Sequence, residues 1–405
     1  MGKGRPFPDA INEDEIDQAE LVDHLTPARN AQSLQKAGHE TWTCAWSPDG
    51  QYFAWSCGSR LVKLLPWNRT KHQLVHDDRD CVTIDAGYLI WSVAFGSSTA
   101  ETRPHSMNLN WYRYKKFNDL TLATGLENGR IRTWNVRTGQ LILELLDHQD
   151  VIRDLKFAPD GSLRLVSGSR DGKLKVWDMD DDGNMMKTLQ SGMKWVYACA
   201  WSPDAKTLCS VGDGRSVVLW DMDSYQKRAR LDGHNHQVCS CDFSPDGALL
   251  VTASYDTQVI VWDPASLNRL ATLSHMHPPP SPIFAGGANG AYVRGVSFSH
   301  DGHHIATVAD DAYVRFWNFS YPGCPEQVAP LQNGLCCSFS PDGAVLAVGS
   351  RDGTVSMLLS PMRVSSLQHL CRMAIRRLLP STKVDQLQMP VRMKKFLNYI
   401  HPLCP

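Results

Sequence analysis

The 405-residue sequence predicts an all-β fold, a closed ring of four-stranded sheets, followed by a short α-helical segment. The first observation is a recurring Ser-Pro-Asp-Gly turn or near copy of it, which begins at Ser47, Ala158, Ser202, Ser244, Ser299 and Ser340. The second is an aliphatic run that ends in Trp, at Trp67, Trp134, Trp177, Trp220, Trp262 and Trp317, and all of these but Trp134 lie about 18–20 residues after such a turn begins. The third is a change after residue 361 to the apolar spacing of an α-helix.

The tryptophan spacing sets the length of the repeat. Trp134, Trp177, Trp220 and Trp262 follow one another at intervals of 43, 43 and 42 residues. A period of about 40–45 residues, with Gly-His near one end and Trp-Asp at the other, is that of the WD repeat. It holds four strands of about 5–6 residues joined by tight turns. One such blade cannot bury both of its faces, but a closed ring of blades can, so we predict a β-propeller.

We count seven repeats, two of them interrupted. The second carries an insertion over residues 96–118, and the sixth carries one over residues 275–291 that is rich in Pro and Gly. The seventh ends without a Trp, so its outer strand is missing, and we expect residues 31–37 to supply it and close the ring. The predicted organisation is an N-terminal lead over residues 1–30, either disordered or a short helix, a seven-bladed propeller over 31–360, and a helical segment over 361–405.

Composition argues against several classes of protein. The net charge is −1 with a pI of about 6.9, which gives no whole-chain signal for nucleic acid or membrane, although the first insertion is basic and aromatic. The 12 cysteines show no CxxC pair and no zinc spacing. Free thiols in such number fit a reducing compartment, so we expect an intracellular protein of the cytoplasm, the nucleus or both. We expect no signal peptide and no membrane span.

The C-terminal segment contains one amphipathic helix. Its apolar residues fall at i, i+3, i+4, i+7, i+8 and i+11, which is one stripe of a helix: Leu367, Leu370, Cys371, Ala374, Ile375 and Leu378. Ser365 or Ser366 can cap its start. The opposite face carries arginines, and we interpret Arg376 as part of a solvated face. A lone helix of this kind after a sheet domain either packs on the sheets or is offered to a partner.

The segment resembles a SOCS box. Its first part matches the Elongin-binding box, which reads small residue, Leu, three residues, Cys, three residues, aliphatic; the residues of this chain on that pattern and face are Ser366, Leu367, Leu370, Cys371 and Ile375. Its second part resembles the cullin box, with core Leu-Pro-aliphatic-Pro; the residues assigned to it are Leu387, Met389, Pro390, Phe396 and Leu397. Gln388 stands where the family has the first proline, a departure that bears on cullin affinity.

Propeller and tail together resemble the WD-repeat and SOCS-box protein family over roughly residues 38–400. The resemblance implies a substrate-recognition adaptor, with no enzymatic activity and no cofactor, whose partners are Elongin C, Elongin B, the fifth cullin with its RING subunit, and a protein substrate. The alternative is a scaffold or peptide-binding propeller whose tail binds Elongin B/C without productive cullin recruitment. The family also implies buried structural networks of His, Asp and Trp, here His148, Asp171 and Trp177, and His234, Asp256 and Trp262.

The sequence offers no catalytic constellation and no metal site. Cys371 lies on the apolar helix face without a paired His, so packing explains it better than nucleophilic chemistry, either in a partner pocket or against the tail's own second helix. The histidine pair His303–His304 lacks further ligands at metal-binding spacing. An enzyme would need a cluster of perturbed acids, histidines or a metal at the central opening of the ring.

Candidate substrate contacts come from one position, early in the innermost strand of successive or near-successive blades: Trp42, Trp91, Arg153, Tyr197 and Arg294. Aromatic residues and Arg often anchor interfaces. Two other interpretations remain open. These side chains could pack blade against blade inside the ring, and the two insertions could provide recognition instead.

Overall fold

The computed structural model describes residues 16–26, 40–57, 60–68, 73–74, 81–97, 120–275, 292–319, 323–361 and 365–400. Two short strands come first, β1 (Asp17–Gln18) and β2 (Leu21–Leu25). Blade 1 comprises β3 (Cys44–Trp46), β4 (Tyr52–Ser56), β5 (Leu61–Asn68), β6 (Gln73–Leu74) and β7 (Val82–Asp85), the last two both pairing with β5. Blade 2 comprises β8 (Ile90–Gly96), β9 (Thr121–Leu126), β10 (Arg130–Asn135) and β11 (Leu141–Leu146).

Blades 3 to 5 are regular four-stranded antiparallel meanders. Blade 3 comprises β12 (Ile152–Phe157), β13 (Arg164–Ser169), β14 (Lys173–Asp178) and β15 (Asn184–Gln190). Blade 4 comprises β16 (Val196–Trp201), β17 (Thr207–Gly212), β18 (Ser216–Asp221) and β19 (Gln226–Asp232). Blade 5 comprises β20 (Val238–Phe243), β21 (Leu250–Ser254), β22 (Gln258–Asp263) and β23 (Asn268–Ser274).

The last two blades each take a strand from the N-terminal region. Blade 6 comprises β24 (Val293–Phe298), β25 (His304–Ala309), β26 (Tyr313–Asn318) and β27 (Gln327–Pro330), with β1 added in parallel at its edge. Blade 7 comprises β28 (Gly334–Phe339), β29 (Val345–Ser350) and β30 (Val355–Leu359), with β2 added antiparallel. Three helices follow, α1 (Leu367–Leu378), α2 (Ser381–Val384) and α3 (Val391–Leu397).

The seven sheets form a closed ring. The first strand of each blade contacts the first strand of the next, and β28 of blade 7 contacts β3 of blade 1. The predicted seven-bladed propeller followed by a small helical segment is therefore confirmed.

The prediction that residues 31–37 close the ring is wrong. The strand that completes blade 7 is β2, whose Leu25 pairs with Val355 and lies buried in the core. The ring of His24 contacts Ser356 Oγ at 3.2 Å, which ties the two strands together by their side chains as well. The N-terminal lead thus contributes two strands to the sheets. Proximity along the chain favoured residues 31–37, which lie outside the described residues, whereas pairing requires only that a strand reach the open edge.

The orientation of the blades defines two faces. Each innermost strand begins on one face, which we call the mouth face, and runs to the other, where a Ser-Pro-Asp-Gly turn or a near copy follows it in six of the seven blades. We call this second side the turn face. Hydrogen bonds join innermost strands of neighbouring blades, since the amides of Cys199 and Phe298 each donate to an Asp of the preceding innermost strand, both at 2.8 Å.

The two predicted His-Asp-Trp networks each contain a fourth member, a hydroxyl. In blade 3, His148 contacts Asp171 Oδ2 at 2.7 Å and Ser167 Oγ at 2.7 Å, and Trp177 Nε1 donates to the same hydroxyl at 2.9 Å. In blade 5 the corresponding set is His234, Asp256, Thr252 and Trp262, with distances of 2.9, 2.8 and 2.9 Å. Every member thereby finds a buried partner.

Sequence reasoning missed these hydroxyls, although a signal was present. A Ser or Thr stands ten residues before the Trp in five repeats and accepts from its indole N–H: Thr124, Ser167, Ser210, Thr252 and Thr307. The spacing follows from the register, which sets that residue and the Trp on neighbouring strands of one blade.

Candidate functional site

Helix α1 is capped as its sequence allows. Ser366 Oγ accepts the backbone N–H of His369 at 3.2 Å, so Ser366 rather than Ser365 is the N-cap. Ser365 instead places its hydroxyl 3.0 Å from His303 Nε2 of the propeller. The helix ends at Leu378, because Leu379 takes an extended conformation before Pro380.

The helix turns its apolar stripe outward. Leu367 is 75% exposed, Leu370 52% and Leu378 82%, and Cys371 is also exposed, while Ile375 is half-buried. Cys371 therefore does not pack against the tail's second helix. A helix that packed on the sheets by its apolar face would show the opposite pattern. Among the described residues, the stripe is therefore left without a partner.

The polar face of α1 is buried instead. Its four buried residues are His369, Arg372, Met373 and Arg376. The prediction of a solvated face at Arg376 is wrong, since this side chain is 5% exposed and its Nη1 donates to Leu379 O at 3.2 Å. Aromatic rings and backbone carbonyls can replace water around a guanidinium group, so an arginine predicted to be solvated can be buried.

Arg372 is held between two rings of the tail. Its guanidinium carbon lies 4.1 Å from the ring centroid of Tyr399 and 4.7 Å from that of Phe396. Its Nη2 donates to His369 Nδ1 at 2.8 Å, and His369 Nε2 donates to the carbonyl of Asp301 at 2.8 Å. This pair of contacts requires a neutral imidazole, in agreement with a pKa of His369 that burial lowers.

The tail is anchored on two turns of the turn face. Tyr399 donates its hydroxyl hydrogen to Asp246 Oδ2 at 2.5 Å. Burial raises the pKa of Tyr399 most, and the Asp246 carboxylate raises it further. Met373 fits against Gly302, where an added Cβ would lie 3.0 Å from its terminal methyl carbon. His303 stacks on His369 with ring centroids 3.7 Å apart, and burial lowers the pKa of His303 to about 4. The polar face of α1 is thereby fixed to the propeller.

The residues assigned to the cullin box divide into two groups. Pro390 is exposed, and Leu387 and Met389 are half-buried, so all three present surface. Gln388 beside them is exposed. Phe396 and Leu397, which lie on α3, are less accessible than these three residues. Phe396 is half-buried against Arg372, and Leu397 is 2% exposed, so Leu397 supports the tail from within rather than offering a side chain to a partner.

The five candidate substrate residues line one cavity of about 340 Å³ along the innermost strands. Trp42 and Trp91 lie with ring centroids 4.4 Å apart. The guanidinium of Arg153 stands 4.4 Å from the Trp91 ring, 5.7 Å from Trp42 and 5.6 Å from Tyr197. These side chains therefore pack between neighbouring blades and at the same time line the cavity, which is the central channel of the ring.

Arg294 is satisfied within the chain. It forms a two-pronged contact with Asp310, at 2.6 to 3.0 Å, and its Nη1 donates to the hydroxyl of Tyr255 at 2.7 Å. As a free anchor for a ligand, Arg294 is the weaker candidate, because its charge is already neutralised.

Deeper in the channel lies a charged group that sequence reasoning missed. Asp154 is the third residue of β12 and Asp242 the fifth residue of β20, and burial raises the pKa of each. Asp154 in turn raises the pKa of Lys156. Each carboxylate accepts a backbone N–H from the neighbouring blade, from Cys199 and from Phe298. These carboxylates thus join adjacent innermost strands. Among the described residues, no three His, Cys, Asp or Glu form a group that could hold a metal ion.

Most of each insertion lies outside the described residues. Gly96, the first residue of the first insertion, ends an innermost strand on the turn face. Tyr292, which follows the second insertion, packs against Tyr255 on the mouth face with ring centroids 5.2 Å apart. The second insertion therefore rejoins the described chain beside the candidate substrate residues.

Comparison with known proteins matches both parts of the chain. Residues 363–398 match the family described as SOCS box. The family described as WD domain, G-beta repeat matches residues 31–65, 139–178, 183–221, 225–263, 281–318 and 331–357. Blade 2 has no separate match over β8 to β10, in line with the insertion that separates β8 from β9.

Three curated relatives carry the name WD repeat and SOCS box-containing protein 1. The relative from Danio rerio is 51% identical, that from Xenopus tropicalis 52% and that from Homo sapiens 51%. Each alignment covers 97% of this chain and 99% of the relative. This chain belongs to the family of WD repeat and SOCS box-containing proteins. The predicted family is confirmed, and the pairing of propeller and SOCS box supports the role of a substrate-recognition adaptor. None of the helices in the described part of this family member has the length and apolar character needed to cross a membrane.

Proposed function

We propose that this chain is the substrate-recognition subunit of a ubiquitin ligase that contains Elongin B, Elongin C, the fifth cullin and its RING subunit. The propeller binds a target protein and the SOCS box recruits the ligase. Ubiquitin transfer takes place on other chains, so this chain needs no catalytic residue, metal or cofactor of its own. Its contribution is proximity, which raises the effective concentration of the target's lysines near the loaded ubiquitin carrier and so promotes degradation of the target.

The observation that carries this proposal is the outward apolar stripe of α1. Leu367, Leu370 and Leu378 are exposed on a helix whose other face is locked to the propeller by Tyr399 and His369. A helix fixed in this orientation cannot turn its leucines inward without losing those contacts. A groove on a partner that accepts residues at i, i+3, i+4 and i+7 fits such a surface.

The arrangement leaves both functional surfaces free at once. The SOCS box contacts the turn face, through Asp246 and Asp301, whereas the candidate substrate residues begin their strands on the mouth face. A target at the mouth therefore does not compete with a ligase partner at the tail. The eleven cysteines of the described ranges are free thiols, which supports a reducing compartment, the cytoplasm or the nucleus.

A second candidate function has one observation in its favour. Gln388 is exposed at the place where the family pattern has a proline, so the segment lacks that proline's preset extended backbone. This favours a scaffold that binds Elongin B/C and recruits the cullin weakly or not at all.

The deciding experiment is capture of purified Elongin B/C and the fifth cullin by the full-length chain. The test variant is L367A/C371A, and the matched control is L146A, which removes a leucine that is 60% exposed on the outer strand of blade 2. Capture of all three partners by the wild type and L146A, but not by L367A/C371A, supports the adaptor. Capture of Elongin without cullin supports the scaffold. No capture by the wild type rejects both.

A further inference from the structure

Two arginines at the mouth of the channel have no anionic partner among the described residues. Arg153 is the second residue of β12, and Arg170 follows the end of β13, so both lie on the mouth face of blade 3. Neither forms an ion pair within the described part of the chain, whereas Arg294 on the same face does. The Nε atoms of Arg153 and Arg170 are both shielded from solvent and have no hydrogen-bond partner.

Aromatic rings support both guanidinium groups. Arg153 lies 4.4 Å from the ring centroid of Trp91, and Arg170 lies 6.0 Å from the same ring and 5.3 Å from that of Trp195. Stacking satisfies the planar faces of a guanidinium but leaves its N–H edges without acceptors. Burial lowers the pKa of Arg153, and the charge of Arg170 acts in the same direction, while Tyr255, Tyr197 and Asp154 oppose the shift without forming an ion pair with this guanidinium. The two positive guanidinium groups therefore lie near the same tryptophan ring, and their Nε–H groups have no hydrogen-bond acceptor.

Blade 6 provides an internal comparison for this pair. Arg294 is the second residue of β24, as Arg153 is of β12, and Asp310 follows the end of β25, as Arg170 follows β13. In blade 6 the acid at the turn position neutralises the arginine with contacts of 2.6 to 3.0 Å. In blade 3 that position carries a second arginine, so the same geometry lacks its anion.

We propose that Arg153 and Arg170 together bind one anionic side chain of the target protein, a carboxylate or a phosphate, at the mouth of the channel. Arginine suits both groups, because its planar fork donates two parallel hydrogen bonds to a carboxylate or a phosphate. The rings of Trp42 and Trp91 form the apolar wall beside the charge. The assignment rests on the proposed function in one respect, that the propeller is the part that receives the target.

The test uses the full-length chain and four sets of peptides with random flanks and one fixed central residue: glutamate, phosphoserine, glutamine or serine. Binding is followed by fluorescence anisotropy. We expect the glutamate or the phosphoserine set to bind about tenfold more tightly than its neutral counterpart, and to weaken as salt is raised. Preference for glutamate assigns a carboxylate, and preference for phosphoserine assigns a phosphate.

The decisive variant is R170D, which transfers the blade 6 pairing to blade 3. It should fold at least as stably as the wild type, because Arg153 gains an internal partner, and it should lose the anion preference. The control is R230Q, at an arginine whose side chain is 68% exposed on an outer strand, and it should keep the preference. Equal binding or no binding of all four peptide sets, or an R170D variant that keeps the preference, overturns the inference. Capture of Elongin B/C on the same preparations separates this outcome from a failure of the proposed function.

Discussion

Replacing Leu367 by Ala should weaken the binding of Elongin B/C about 5- to 30-fold while leaving the propeller unchanged. Complete burial of a leucine side chain stabilises a complex by about 1.5–3 kcal/mol. Leu367 is 75% exposed in the free chain, so a partner can bury at most three-quarters of it. The loss on truncation is therefore about 1–2 kcal/mol, which corresponds to the stated range because about 1.4 kcal/mol changes a dissociation constant tenfold.

The assay is isothermal titration of purified Elongin B/C into the full-length chain. The free chain should be little affected, because a truncation at an exposed helix position changes stability by less than about 0.5 kcal/mol and Ala favours the helix. L146A serves as the matched control, since it removes an exposed leucine that lies on blade 2. Its affinity for Elongin B/C should equal that of the wild type.

Two results would refute the reasoning. Equal affinity of L367A and the wild type would mean that the stripe does not enter a partner. A fall in the melting temperature of L367A together with lost affinity would mean that Leu367 supports the tail itself, contrary to its exposure.

Three further predictions concern buried contacts and the cullin segment. Thr252→Val should lower the free energy of unfolding by about 1–3 kcal/mol, because the buried indole N–H of Trp262 loses its acceptor and Nε2 of His234 loses its hydroxyl partner; an unchanged denaturant midpoint contradicts this. Burial and His369 lower the pKa of His303 to about 4 from the ordinary 6.5. As pH falls, His303 is therefore protonated at a higher pH when the tail is undocked than when it is docked. Docking should therefore be fully stable above pH 6.5 and weaken as pH falls towards 4, as measured by the rate of limited proteolysis of the tail, with a flatter profile in His303→Gln. Gln388→Pro should tighten binding of the fifth cullin about 2- to 5-fold, because proline restricts the free segment by about 0.4–1 kcal/mol; equal affinities of the two forms exclude this effect.

Repetition made the propeller predictable. The interval between Trp177 and Trp220, and the turns that precede them, recur often enough to set blade number and strand order. The same repetition identified His148 and His234, because each stands at a fixed place in its unit. The prediction of the closing strand was wrong, because that part of the chain does not follow the repeat. The closing strand β2 has no counterpart in the other repeats, and its pairing with β30 was beyond reach.

The SOCS box shows what a pattern on one helix can and cannot determine. Spacing alone gave the apolar stripe of Leu367, Leu370 and Leu378, since helical geometry places these residues on one face. It did not say which face meets the propeller. That depends on Tyr399 reaching Asp246 and on rings that hold Arg372, contacts between residues far apart in the chain.

The sequence by itself therefore determined the seven-bladed ring, the amphipathic tail and the family, because all three follow from local periodicity and short motifs. Only the tertiary structure decided which strand closes the ring, that the apolar stripe of α1 faces outward, and that Arg153, unlike Arg294, forms no ion pair with the described residues. Each of these features depends on contacts between residues that are far apart in the chain. Such contacts are determined by packing and charge in the folded protein and leave no local pattern in the sequence.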